Sequence, residues 1–142
     1  MTPRGRLLGI DFGLARIGLA VCDADRRIAS PLATYERRNA EADLQFFRRL
    51  VAEEEITGLV VGLPLHMSGE ESEQSRLTRQ FADELAQCLD LPVAYQDERC
   101  TSSAADALLA DTGLTPKRRK GRRDRVAAQM ILQSYIETQR RG

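Results

Sequence analysis

Between Leu7 and Val21 the chain is apolar at almost every position, and the alternation that remains has a period of two. Leu8, Ile10 and Phe12 share one face, and Leu7, Gly9 and Asp11 share the other. With glycines at 13 and 18, the stretch predicts a strand, a tight turn and a second strand, with Gly9 leaving open space beside Asp11. Asp23-Ala24-Asp25-Arg26-Arg27 supplies another turn. Ile28 to Thr34 is a short third strand whose Pro31 suits an edge or a strand end. From about Asn39 to Glu55 the period lengthens to that of a helix, with Leu44, Phe47 and Val51 on one side and Phe46 and Leu50 beside them. Thr57 to Gly62 is the continuous run of a strand covered on both faces.

Gly62 to Gly69 then predicts a loop at the carboxyl end of that strand. Ser68 with Glu71 forms a capping box for a second helix, in which Leu77, Phe81, Leu85 and Cys88 continue one apolar face. Pro92 to Gln96 is a further strand, closed by Asp97-Glu98-Arg99. Thr101, Ser102 or Ser103 caps a third helix through Ala104, Ala105, Leu108 and Leu109, ended by Gly113. Gly113 to Gly121 is expected to be a mobile basic loop, and a last helix to run from about Arg122 to Gln139. Three tightly connected strands make an antiparallel meander, and the alternation that follows makes the fold α/β. The sheet is mixed, with helices on both faces, and sites fall outside the carboxyl ends of its parallel strands.

A chain of 142 residues fits a single domain spanning residues 1–142, with a core that needs no staples. Three widely spaced cysteines, Cys22, Cys88 and Cys100, with His66 the one histidine, speak against zinc and against a disulfide framework. No signal-peptide pattern opens the chain and no apolar run approaches the ~18 residues of a membrane span, so a cytoplasmic setting without membrane contact is expected. The formal net charge is zero, yet Lys117 to Arg125 carries seven positive charges and one negative in nine positions. That stretch fits backbone contacts to a nucleic acid, although an exposed charge run is more often a solvated face.

The carboxylates carry the chemistry. Asp11 stands near the end of a strand apolar on both faces, where a lone carboxylate costs several kcal/mol unless it is paired or binds a cation; a turn-forming Asp is the plainer alternative. Asp124 is in helical register with Ala127 or Ala128, Ile131 and Tyr135, which sets it on the inward face of the last helix. Its plainer role is to complement the helix dipole in the first turn and pair with neighbouring arginines. Alternation sends Asp97 and Glu98 to opposite faces of their strand and leaves open which turns inward. Carboxylates gathered at one sheet edge repel unless a cation joins them, and oxygen donors alone suit Mg²⁺ or Mn²⁺. Two such ions activate water and stabilise both oxygens in phosphodiester hydrolysis. Backbone N–H groups from Gly62 through Pro64 to Gly69 are available to phosphate oxygens at the same edge. His66 is given no role beyond substrate contact.

In four ordered blocks covering nearly the whole chain, the sequence closely resembles the YqgF family, bacterial pre-16S rRNA nucleases also described as Holliday-junction-resolvase-like. The blocks are Gly9-Ile10-Asp11-Phe12-Gly13 with Arg16-Ile17-Gly18; Val60 to Leu65 with Met67 and Gly69; Asp97-Glu98-Arg99 with Thr101-Ser102; and Asp124 with Ala127-Ala128 and Ile131 to Tyr135. The resemblance implies an RNase H-like fold, a five-stranded mixed sheet with Asp11 on its central strand. It further implies Asp11, Glu98 and Asp124 as the metal-binding catalytic set, with Asp97 and Arg99 next to them, and RNA cleavage at the 5′ end of pre-16S rRNA. Arg16, Arg99 and the basic segment Lys117, Arg118, Arg119, Lys120, Arg122 and Arg123 would position phosphates. Two departures stand out. Gly62-Leu63-Pro64 occupies the strand end where many RNase H-like nucleases carry an acid, and Arg123 stands where the family often has an aliphatic residue. The expected partner is RNA, or branched DNA for a resolvase, with ribosomal precursor particles as a setting, for a monomer or homodimer; the remaining rival is a non-catalytic RNA- or ribosome-binding factor.

Overall fold

The computed structural model describes residues 4–64, 72–97 and 116–141. Five strands, β1 (Arg6–Asp11), β2 (Arg16–Cys22), β3 (Ala29–Glu36), β4 (Ile56–Leu63) and β5 (Val93–Asp97), form one sheet in the order β3-β2-β1-β4-β5. β1 pairs antiparallel with β2 and β2 with β3, while β4 runs parallel to both β1 and β5. The mixed sheet expected from the periodicity is therefore present, with β1 at its centre.

The helices divide between the faces as the two-sided burial of β1 requires. α1 (Ala40–Glu53) and α2 (Glu73–Leu89) close over Leu8, Ile10, Ile17, Leu19, Leu59 and Val61, with Phe47 fully buried among them. α3 (Pro116–Arg141) covers the other face, where Ala128, Ile131, Leu132 and Ile136 meet Leu7, Ala20, Cys22 and Val60. α1 starts where Asn39 Oδ1 accepts the Ala42 amide at 2.9 Å. At α2, Ser72 and Ser75 exchange side chain to backbone hydrogen bonds of 3.0 and 2.8 Å.

Several expectations are corrected. The capping serine of α2 is Ser72; Ser68, Glu70 and Glu71 lie outside the described residues, as does the third helix expected around Ala104 to Leu109. Cys88 is exposed, because the inner face of α2 runs through Thr78, Ala82, Leu85 and Ala86 instead. Residues 116–121 are helical, not a loop. Proline is tolerated at a first helical position, where its missing N–H has no partner to lose, and the Lys and Arg after it are good helix formers. Gly121 stays in the helix because its carbonyl accepts the Thr34 hydroxyl of β3.

Gly9 leaves no open space. A Cβ there would stand 2.8 Å from Leu132 Cβ and 3.0 Å from the Ala128 carbonyl, so α3 fills the volume the side chain lacks. Gly18 is tighter still, its Cβ position 2.0 Å from the Asp124 carbonyl oxygen. Two missing side chains let α3 rest directly on the backbone of β1 and β2. Close docking of this kind is what fixes the height of Asp124 above the sheet.

Candidate active site

Asp11 ends the central strand on the α3 face, and its cross-strand partner is Gly18. Because Gly18 carries the backbone of Asp124 on its bare face, register and helix docking together bring the two acids to one place. Asp11, Asp124, Arg16, Arg123, Pro64 and Gln74 line a common cavity of about 300 Å³. Asp124 is buried and lies more than two turns inside α3, whose first turn holds no acid, so helix-dipole complementation is not its role. Its carboxylate accepts from Arg16 Nε at 2.8 Å. That contact spans the chain from β2 to α3 and shields a charge whose burial alone would be costly.

The fifth strand divides its residues as alternation requires. Gly62 is in register with Gln96 and Leu63 with Asp97, so Asp97 stands on the face of α1 and α2, opposite Asp11. Glu98 and Arg99 lie outside the described residues. Among the described residues, no group of three or more His, Cys, Asp or Glu could hold a metal ion. Gly62 was expected in a phosphate-binding loop but is buried inside β4, between β1 and β5; Pro64 does reach the cavity.

The basic residues sort into distinct places. Arg118, Lys120, Arg122 and Arg125 of α3, with Arg16 of β2 and Thr34 and Glu36 of the edge strand β3, line a groove of about 850 Å³. Arg123 turns to the acidic cavity instead, and Arg119 lines neither. Lys117 lies in the first turn of the same helix, its side chain outside the described residues. Sequence reasoning missed Thr34 and Gln74, which lie far along the chain from the acids, whereas Arg125, part of the basic stretch already read as a nucleic-acid contact, follows Arg118 and Arg122 at helical spacing.

The turn joining β1 to β2 is braced from behind. The Arg37 amide donates to the Ala15 carbonyl at 2.9 Å, and its guanidinium lies 5.1 and 5.3 Å from the ring centroids of Phe12 and Phe81. Asp43, 3% exposed, accepts from Tyr35 Oη at 2.6 Å, from the Arg38 amide at 3.0 Å and from Arg37 Nε at 3.2 Å. Burial pushes the Asp43 carboxyl up, but these hydrogen bonds and the Arg37 charge outweigh it and hold it below the ordinary range. Burial, then the bond to Asp43, raises Tyr35.

A sheet of this order, with helices packed on both faces, has the RNase H-like fold. The family model RuvX, described as Holliday junction resolvase, matches residues 5–138. The chain belongs to this family, which is the YqgF family of the sequence resemblance. A Roseiflexus sp. strain RS-1 protein named "Putative pre-16S rRNA nuclease" is 40% identical over 136 residues, covering 96% of each chain. A protein of the same name from Chloroflexus aurantiacus is 44% identical over 134 residues, 94% of this chain and 88% of the relative. In fold the chain is similar to Thermus thermophilus RuvC, solved with a Holliday junction substrate, at a TM-score of 0.58, 13% identity and 95% coverage of both chains.

Proposed function

We propose that this chain is a divalent-metal-dependent nuclease that hydrolyses phosphodiester bonds in RNA during maturation of the 5′ end of pre-16S rRNA. The observation that carries the reading is the meeting of Asp11 and Asp124 in one cavity that shares Arg16 with a basic groove. The names of the similar relatives favour RNA as substrate.

The residues fit a hard divalent cation. Asp11 and Asp124 offer oxygen donors, no His or Cys lines the cavity among the described residues, and Asp124 already takes a positive partner. Asp11, Asp124 and Glu98 would hold Mg²⁺ or Mn²⁺. Asp97 stands on the opposite face, so the alternation of β5 favours Glu98 over Asp97 as the third ligand. When bound, the cation supplies activation of water and neutralisation of charge on the phosphodiester. The protein's own part is positioning. Arg16, Arg118, Lys120, Arg122 and Arg125 carry the phosphates of the strand past the acids; roles for Arg99, Lys117 and Arg119 rest on the family resemblance alone. Since the whole chain is neutral, this attraction is local to the groove.

One domain spanning residues 1–142 suffices for this reading, acting in the cytoplasm as a monomer or homodimer and meeting its substrate in ribosomal precursor particles. No helix among the described residues is long and apolar enough to cross a membrane. The test is cleavage of a labelled pre-16S 5′-leader RNA and, in parallel, of a four-way DNA junction, with Mg²⁺, Mn²⁺ or EDTA and with Asp11→Asn as control. Metal-dependent cutting of the RNA, lost in the variant, supports the proposal. Cutting of the junction alone moves the assignment to a DNA resolvase, the reading that the family description favours. Tight binding of either without cutting leaves a binding factor.

A further inference from the structure

We propose that Arg16 is a counter-ion that Asp124 exchanges for the metal, and that the guanidinium it frees turns to a phosphate in the basic groove. The inference rests on the metal-dependent reading above and goes beyond it by assigning a two-position role to one side chain. Arg16 lines both the acidic cavity and the basic groove, so its guanidinium stands at their junction. Its Nε donates to Asp124 Oδ2 at 2.8 Å, with the Asp124 side chain 12% exposed and that of Arg16 33%. Asp124 has little freedom to move toward a metal, because its backbone rests on Gly18. Arg16 is half-buried on a strand end and has a long, flexible side chain; it is the partner able to leave.

Charge accounting gives the direction. A carboxylate oxygen that accepts from a guanidinium has lost much of its capacity for a cation, and a cation bound beside Arg16 meets a like charge. Arg16 thus holds the acid in place without metal and weakens metal binding. Once displaced, it adds a positive charge beside Arg118, Arg122 and Arg125, where a phosphate can accept its fork. Metal and nucleic acid then assist one another through one residue, and linkage makes the assistance reciprocal.

The experiment is Mn²⁺ titration by calorimetry on the full chain, wild type against Arg16→Gln and Arg16→Lys, with melting curves in EDTA. Arg16→Gln is expected to melt lower in EDTA yet to bind Mn²⁺ roughly three- to tenfold more tightly, the range set by a half-buried ion pair. Arg16→Lys, which keeps the charge and loses the fork, should fall between and guards against a Gln variant that fails to fold. Equal or weaker Mn²⁺ binding in both variants overturns the exchange while leaving the metal site standing. Absence of Mn²⁺ binding in all three proteins overturns the metal site and the exchange together. A second cycle in EDTA reads the groove directly. Asp124→Asn should tighten binding of a labelled RNA more with Arg16 present than in combination with Arg16→Gln; equal effects in the two backgrounds refute the hand-over to phosphate.

Discussion

Gly18→Ala is the sharpest probe of how the acids are brought together. The added methyl would lie 2.0 Å from the Asp124 carbonyl oxygen, 2.4 Å from its carbonyl carbon and 3.0 Å from its Cβ. Two of the three atoms are backbone, so no rotamer change relieves the clash. Restoring an ordinary contact of ~3.5 Å requires α3 to rise by about 1.5 Å at this point. A rise of that size stretches the Arg16 to Asp124 contact from 2.8 Å to beyond about 4 Å and unseats Ala128 from β1. Overpacking of this severity costs about 3 kcal/mol, which for a chain of 142 residues lowers Tm by roughly 10 °C. Misplacing Asp124 by more than 1 Å should also cost cleavage about a hundredfold in whatever folded protein remains. Calorimetry reads the first effect and single-turnover cleavage at low temperature the second. Gly121→Ala is the control. Its Cβ would meet Arg125 Nη1 at 3.7 Å and Thr34 Oγ1 at 3.9 Å, both ordinary contacts, and within a helix the change should stabilise by about 1 kcal/mol. A Gly18→Ala protein melting within about 2 °C of wild type would refute the direct seating of α3 on β2.

Asp11→Asn should leave Tm nearly unchanged while cleavage falls at least about a hundredfold, read by steady-state kinetics beside a melting curve. Asp43 has a folded carboxyl held below its ordinary value of 3.8, so its stabilising contribution is complete above that pH and is lost as pH falls through the lower folded value. Asp43→Asn should therefore cost about 2 kcal/mol at neutral pH, with the gap to wild type closing in urea titrations below pH 3.8. In the groove, Arg122→Gln and Arg125→Gln should each weaken RNA binding evenly across sequences. Each should also lower the slope of log affinity against log salt by about 0.7 on single strands or 0.9 on duplex, measured by anisotropy over a salt series.

Local chemistry made much of this readable. The β1–β2 hairpin, the buried β4 and the inward face of α3 each follow from a hydrophobic period, and Asp124 was assigned its face by its spacing to Ala127 or Ala128, Ile131 and Tyr135 alone. The four positive charges from Lys117 to Lys120 read as part of a mobile loop, although the proline before them and their helix propensity favoured the first turns of α3. What anchors those turns is the Thr34 hydroxyl on the Gly121 carbonyl, 87 residues apart, and no local pattern encodes it. Cys88 kept helical register with Leu85 yet is exposed, because the inner stripe of α2 turns through Ala82, Leu85, Ala86 and Leu89 and leaves Cys88 at its margin.

The convergence of the acids was inferable as a tendency and not as a geometry. Asp11, Gly18 and Thr34 form one row across β1, β2 and β3, an order that exists only once the strand registers are set. Within that row the middle residue has no side chain, so the helix that needs to approach can do so, and both flanking residues are polar where the helix arrives. Asp11 shares a cavity with Asp124, while Thr34 bonds to the Gly121 carbonyl and accepts from Arg125 at 3.2 Å. One empty position therefore serves two neighbours. It lowers an acid beside the central strand and locks the basic turns of α3 against the edge strand, so the cavity and the groove are built by the same contact and should be lost together.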